Sequence, residues 1–424
     1  MNMNEIPKHE QDRYVVVTYY IETPLEVRDA AYLIAAVQSI GAGNISENHY
    51  ERLADMHGAK VIAINPILGT YIPQLPVRLL SGKETIHAAK ITIAYPHINF
   101  GPKIPNLLSA IAGELFEMNS FTAAKVMDIE FPDSFLKHFA GPKFGIGGCR
   151  DILKLYNRPI IGAIVKPCVG LSATRLAELA EDGFSGGLDF IKDDELLADA
   201  VYNSIQERVK KVTAALKRAE ERTGENKMYA FNITDRIDRL RELHDIVVEG
   251  GGKCVMINVA AVGMEAMREL AEYTKVPIHC HRTFAAVWAR SPVIGISFPA
   301  LTKIFRLCGA DQIHCGAIQG KLYETDDEVL LNMDACTSDT PYMKRAIPVS
   351  SGGQWAGKAP VNAEKIGHYD FIHLSGAGTY SHPDGAAAGA RSIRQAWDAV
   401  ITGVPLIEYA RDHRELSRAL EFYR

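Results

Sequence analysis

Gly186-Gly187-Leu188-Asp189-Phe190-Ile191-Lys192-Asp193-Asp194-Glu195 runs from an apolar stretch into four consecutive charged residues. Phe190 and Ile191 favour a strand, and in a strand alternate side chains share a face. Lys192 and Asp194 then point the same way, with Glu195 where strand gives way to loop. Seven further short apolar runs share this form: IIGAIVKP (160–167), MYAFNIT (228–234), CVMINV (254–259), PIHCHR (277–282), DQIHCG (311–316), AIPVSSGG (346–353) and FIHLSGAG (371–378). Helical patterns such as TRLAELAEDG, RELHDIVVEG and MEAMRELAEY lie between them. Strand-then-helix units in this number predict an α/β fold whose C-terminal part is a (β/α)8, or TIM, barrel. A doubly wound parallel sheet also accommodates alternating units. In a barrel the C-terminal strand ends meet at one mouth, which would bring together Lys166, Asp194, Glu195, His281, Arg282, His314, Ser351 and Gly378.

Upstream of the barrel the texture differs. YVVVTYYIE (14–22) and AKITIAYP (89–96) read as strands. LEVRDAAYLIAAVQSIG (25–41) and IPNLLSAIAGELF (104–116) read as helices. The expected division is an α+β domain over residues 1–142 and a barrel over 143–424. The chain of 424 residues is 47% hydrophobic and 23% charged, enough apolar material for large cores. A net charge of −5 argues against a general nucleic-acid binder, which usually carries a basic face. Seven scattered cysteines without a C-x-x-C pair suit a reducing cytoplasm. The polar opening MNMNEIPKHEQDRY has no signal-like apolar core, and no apolar run reaches membrane-spanning length. A cytoplasmic protein with no membrane or nucleic-acid partner is expected.

Asp194 and Glu195 would supply the hard oxygen ligands that Mg2+ prefers. Lys192 beside them would repel a cation as an ammonium. As a neutral amine it can add CO2 and become an anionic carbamate, and burial supplies the neutral amine by lowering the pKa. A solvated charge cluster at a strand end explains K-D-D-E equally well on these residues alone. Gly352, Gly353, Gly376 and Gly378, with Ala377 between the last two, would let backbone N–H groups approach a phosphate, or are ordinary loop glycines. Arg282 suits planar phosphate oxygens. His281 and His314 are either active-site groups or satisfied core histidines.

Taken together, G-G-L-D-F-x-K-D-D-E (186–195), Ile164-Val165-Lys166-Pro167, Ile278-His279-Cys280-His281-Arg282, Ile313-His314-Cys315-Gly316 with Gly320-Lys321-Leu322, Ser351-Gly352-Gly353 and Gly376-Ala377-Gly378-Thr379 with His382-Pro383 resemble the ribulose-bisphosphate carboxylase (RuBisCO) superfamily over residues 14–410. The resemblance implies one Mg2+ per site on a carbamylated Lys192 with Asp194 and Glu195. It implies a proton-transfer role for Lys166, catalytic roles for His281 and for the mobile-loop Lys321, and substrate binding by Arg282, His314, Ser351, Gly352, Gly353, Gly376, Ala377 and Gly378. It also implies a homodimer or an assembly of dimers, with the N-terminal domain of one subunit closing over the barrel of the other.

Departures from the carboxylases are as informative. The second lysine of the first barrel strand is Cys168. The histidine four residues after the catalytic one is Ala285. Val37-Gln38-Ser39-Ile40-Gly41-Ala42-Gly43 stands where the carboxylases have Glu, Thr and Trp, and Glu114 stands where they have Asn. The resemblance is therefore to the RuBisCO-like (form IV) proteins, and carboxylation of ribulose bisphosphate is not expected. The diketo-methylthiopentyl-phosphate enolases of that group carry a lysine at the position of Glu114 and lack the loop lysine. This chain has the opposite pattern. Lys321 implies a substrate or product with a carboxylate. Decarboxylation of a 3-oxo acid is the reverse of adding CO2 to an enediolate. The expected reaction is Mg2+-dependent carbon–carbon cleavage of a phosphorylated 3-oxo sugar acid such as 3-oxoisoapionate 4-phosphate, by decarboxylation or by transcarboxylation and hydrolysis. The alternatives are enolase or methylthioribulose-phosphate isomerase chemistry, or an inactive regulatory relative. Glu114 is the expected acid–base residue reaching across the dimer.

Overall fold

The computed structural model describes residues 6, 8–41, 47–75 and 85–423. Ala42 and Gly43, part of the stretch compared above, lie outside the described residues. The chain forms two compact units: Met1–Ala140 with Ala285–Ile304, and Gly141–Phe284 with Phe305–Arg424.

The first unit is a sheet with helices. β1 (Tyr14–Thr23), β2 (Lys60–Ile67), β3 (His87–Pro96) and β4 (Ala123–Glu130) lie in the order β4-β1-β3-β2 and pair antiparallel. β1 is β-branched and aromatic along its length, which suits a strand central to its sheet. Its Tyr19 hydroxyl, inside the unit, reaches the Tyr95 hydroxyl and the Ile111 carbonyl, each at 2.8 Å. The helix Val27–Val37 buries Ala30, Ala31, Ile34 and Ala35, one face at helical spacing.

The helix expected through residue 116 ends at Ala112. Gly113 caps it and Glu114 precedes the 3-10 turn Leu115–Glu117. Glycine ends the run because it contributes no side chain to stabilise a further turn.

The second unit is a closed parallel barrel of β5 (Ile160–Ile164), β6 (Phe190–Lys192), β7 (Met228–Asn232), β8 (Cys254–Asn258), β9 (Ile278–His281), β11 (Gln312–Gly316), β12 (Ile347–Ser351) and β13 (Ile372–Ser375). This is the expected TIM barrel, one strand for each apolar run, and it sets aside the doubly wound sheet. β10 (Ile294–Ile296) belongs instead to the first unit, pairing parallel with β4.

Ile160, Phe190, Met228, Ala230, Cys254, Met256, Val349, Ile372 and Leu374 fill one core cluster. They are alternate residues on their strands, so they mark the barrel interior. Beneath it, Arg158 holds Asp189 through two hydrogen bonds at 2.5 and 2.8 Å. The surrounding helices start at side-chain caps: Ser172 on Arg175 N, Ser204 on Glu207 N, and a Thr325–Glu328 capping box. No helix among the described residues is long and apolar enough to cross a membrane.

Candidate active site

The register of β5, β6 and β7 sets Lys192 beside Ile164 and Ala230. Phe190 is in the interior cluster, so Lys192, two residues on, points inward. Its Nζ lies 3.4 Å from Met256 Sδ and donates to the Asp193 carbonyl at 2.8 Å. The side chain is wholly buried. Burial drives its pKa down from the ordinary lysine value, although Glu195, Asp194 and Asp193 oppose this. Glu195 Oε2 is 3.6 Å from the amine. The strand leaves β6 at this point, and the Glu195 carbonyl is held by Asn258 Nδ2 at 3.0 Å and Asn232 Nδ2 at 3.3 Å.

Lys166, just beyond β5, reaches Asp194 Oδ2 at 2.5 Å and Cys168 Sγ at 3.0 Å. Burial works against its charge, but these hydrogen bonds outweigh it and the pKa is raised. Asp194 is the complement: burial would raise its pKa, and Lys166 with the Leu196 N–H brings it below the usual value. Cys168, where the carboxylases have a second lysine, thus accepts a hydrogen bond from Lys166.

Opposite stands a row of imidazoles. His281 Nδ1 accepts the Thr283 N–H at 3.1 Å, so its proton sits on Nε2, 3.5 Å from Glu195 Oε2. His279 Nδ1 lies 2.8 Å from Gln312 Oε1, and its Nε2 lies 2.8 Å from His314 Nε2. Gln312 Oε1 only accepts, so His279 carries its proton on Nδ1 and accepts one from His314. His314 is left with a bare Nδ1. Burial holds all three rings neutral, His279 down to about 3 and the others well below the ordinary value. His279 and Gln312 were not singled out in the sequence. Their signal is period two: H-x-H in β9 and Q-x-H in β11 set each on the face of a named histidine.

Lys321 is exposed, and its backbone N–H donates to the Gly352 carbonyl at 3.1 Å. Gly353 has φ of +80°, and a Cβ there would lie 3.3–3.5 Å from Lys321 N, Cβ and Cγ. The positive φ is what calls for glycine, and the lysine stem packs directly over it. A Cβ on Gly376 would lie 3.4 Å from Lys166 Cε. Gly378 answers to packing: its Cβ would meet Gln354 O at 2.4 Å. Ala377 accepts the Tyr423 hydroxyl at 2.7 Å, and Ser351 closes β12, buried. Arg282 follows β9 and pairs with Glu324, a residue that no motif marked. Glu114 lies in the first unit, exposed.

The side chains suit a divalent cation. Among the described residues no group of three or more His, Cys, Asp and Glu forms a ligand set. Asp194 and Glu195 supply two carboxylates, and the buried amine of Lys192 is the group that CO2 would convert into a third anionic oxygen donor.

The model for the ribulose bisphosphate carboxylase large chain, catalytic domain, matches residues 145–423, and that for its N-terminal domain matches residues 4–135. The chain belongs to the RuBisCO large-chain family. Within it, a ribulose bisphosphate carboxylase-like protein of Chlorobaculum tepidum is 40% identical over 414 residues, covering 97% of this chain and 94% of that one. A 3-oxo-isoapionate-4-phosphate decarboxylase of Rhizobium etli is 35% identical over 412 residues, 96% and 98% of the two chains. The crystal structure of a rubisco-like protein from Burkholderia fungorum superposes with a TM-score of 0.88 at 34% identity, covering 97% of this chain and all of that one. RuBisCO-like proteins of this family thus include enzymes.

Proposed function

We propose that this RuBisCO-like protein is a Mg2+-dependent enzyme that cleaves a carbon–carbon bond in a phosphorylated 3-oxo sugar acid, with 3-oxoisoapionate 4-phosphate as the expected substrate. The observation that carries the proposal is the seat of Lys321. Its backbone is tied to Gly352 and its stem rests where Gly353 has no side chain. A lysine so held meets a carboxylate at the barrel mouth, and a 3-oxo acid has one to lose. The Rhizobium etli relative, similar over nearly the whole chain, supports the same substrate class.

Carbamylated Lys192, Asp194 and Glu195 would hold Mg2+, which when bound would act as a Lewis acid on the substrate carbonyl. The remaining work falls to the chain's own groups. Lys321 orients the carboxylate. The bond from that carboxylate to its neighbouring carbon breaks, CO2 leaves, and the electron pair passes to the 3-oxo group. Lys166, held charged, returns a proton to carbon. His281 offers its Nε2–H toward Glu195, and the bare Nδ1 of His314 accepts from a substrate hydroxyl. Ser351 and the backbone at Gly352, Gly353, Gly376, Ala377 and Gly378 seat the phosphate. Transfer of the carboxyl group to an acceptor, with later hydrolysis, uses the same first cleavage.

Lys321→Met separates this from simple enolisation. Exchange of the substrate's α-proton with deuterium should persist, while release of CO2 falls about 100-fold or more, the range for a lost charge-stabilising contact. Equal release by wild type and Lys321→Met would remove Lys321 from the proposal. Glu114 is proposed as an acid–base residue acting on the site of a second subunit. Glu114→Gln should lower kcat about 100-fold with Mg2+ binding intact. An unaltered kcat and pH profile would make it an ordinary surface carboxylate.

A further inference from the structure

Arg282 and Glu324 form an ion pair at the end of β9. Their side chains are only 12% and 3% exposed. The pair lies at the mouth beside Gly316, the last residue of β11. A Cβ on Gly316 would come 3.6 Å from Glu324 Cδ and 3.7 Å from Arg282 Nη1. Arg282 Nη1 donates to Glu324 Oε1, while Glu324 Oε2 is buried without any hydrogen-bond partner. A buried carboxylate oxygen left unpaired is costly, so Glu324 depends on Arg282 to offset its burial.

Two consequences follow from charge alone. The pair is neutral as a unit, so this end of the mouth has no net attraction for an anion. A phosphate brought to Arg282 would also face the Glu324 carboxylate, and like charges juxtaposed at low dielectric repel strongly. Lys166, held charged, and Gly376 follow β5 and β13, strands that neighbour neither β9 nor β11, while Lys321 lies three residues before Glu324.

We infer that Glu324 is a specificity-determining residue: it cancels Arg282 as an anion site, so the enzyme takes substrates with a single phosphate and rejects bisphosphates. This rests on the proposed reading of the barrel mouth as a sugar-phosphate site and names the charge class that it admits. It also reassigns Arg282, expected from the sequence to grip phosphate, to holding Glu324.

Calorimetric titration of the full-length protein, with Mg2+ and bicarbonate, tests this without turnover. The probes are ribulose 5-phosphate and ribulose 1,5-bisphosphate. Wild type should bind the bisphosphate no more tightly than the monophosphate. Glu324→Gln keeps the shape and removes the charge. It should bind the bisphosphate roughly tenfold or more tightly than wild type, with monophosphate affinity changed less than about threefold. Glu324→Asp, which restores the charge, should return the discrimination. A wild-type preference for the bisphosphate of tenfold or more would overturn the inference even if the variants fail to fold. So would bisphosphate affinity unchanged in Glu324→Gln. Failure of both probes to bind wild type would instead strike at the sugar-phosphate reading itself, and the inference would fall with it.

Discussion

Asp193 stands between Lys192 and Asp194, yet its carboxylate turns away from both. Oδ2 accepts from Arg208 Nε at 3.0 Å and from the Asn232 N–H at 2.8 Å, and Oδ1 from the Tyr229 hydroxyl at 2.6 Å. Strand alternation made this readable: in K-D-D-E the first Asp faces the helices and the second the barrel interior. Arg208 is wholly buried, so Asp193→Ala should destabilise the fold by about 3–5 kcal/mol, the cost of leaving a buried charge unpaired. Thermal denaturation in the absence of metal reads this, and a melting temperature within a degree or two of wild type would exclude it. His279 and Gln312 were legible by the same rule. Glu324 was not, because it lies in a segment without periodicity and its partner Arg282 is 42 residues away in sequence.

The barrel strands were legible because each is a short apolar run buried on both faces and bounded by polar or glycine residues. β2, β4 and β10 escaped that reading. β2 carries Asn65 and Pro66, and β4 mixes Lys125 and Asp128 into its apolar positions. β10 is three residues long and takes its identity from β4, far away in the chain. The helix end at Gly113 escaped because the apolar spacing continues into Leu115 and Phe116. Electrostatics between elements is equally hidden from sequence. Glu225, ahead of β7, accepts from Lys227 at 2.8 Å and from Arg394 on the helix Ala386–Thr402 at 3.0 Å. Burial would raise its pKa, but these cations bring it from 4.5 to about 2. A depressed folded-state pKa gives stability that is present above pH 4.5 and is lost as pH falls toward 2. With 38% of the side chain exposed, the contribution after solvent screening is about 1 kcal/mol. Chemical denaturation of Glu225→Gln should match this loss near neutral pH and show a shallower decline between pH 4.5 and 2. An identical pH dependence in wild type and variant would refute it.

At the scale of the whole molecule, the family and the barrel were readable from the ordered set of motifs, while the reaction turns on a few side chains that motifs do not rank. The absence of a second lysine at Cys168, together with Ala285, leads us to expect no carboxylation of ribulose bisphosphate. Labelled CO2 should enter no phosphoglycerate, and enzyme-dependent incorporation would count against the assignment. The active form should be a dimer with shared sites. Mixing inactive Lys192→Ala and Glu114→Gln chains should restore part of the activity after subunit exchange, whereas a fully active monomer would exclude shared sites. The most direct test is CO2 release from 3-oxoisoapionate 4-phosphate by the intact protein, followed with and without Mg2+ and in Lys192→Ala. Release should need Mg2+ and prior exposure to CO2, and should disappear in EDTA and in Lys192→Ala. Full release in EDTA, or none from wild type under activating conditions, would contradict it.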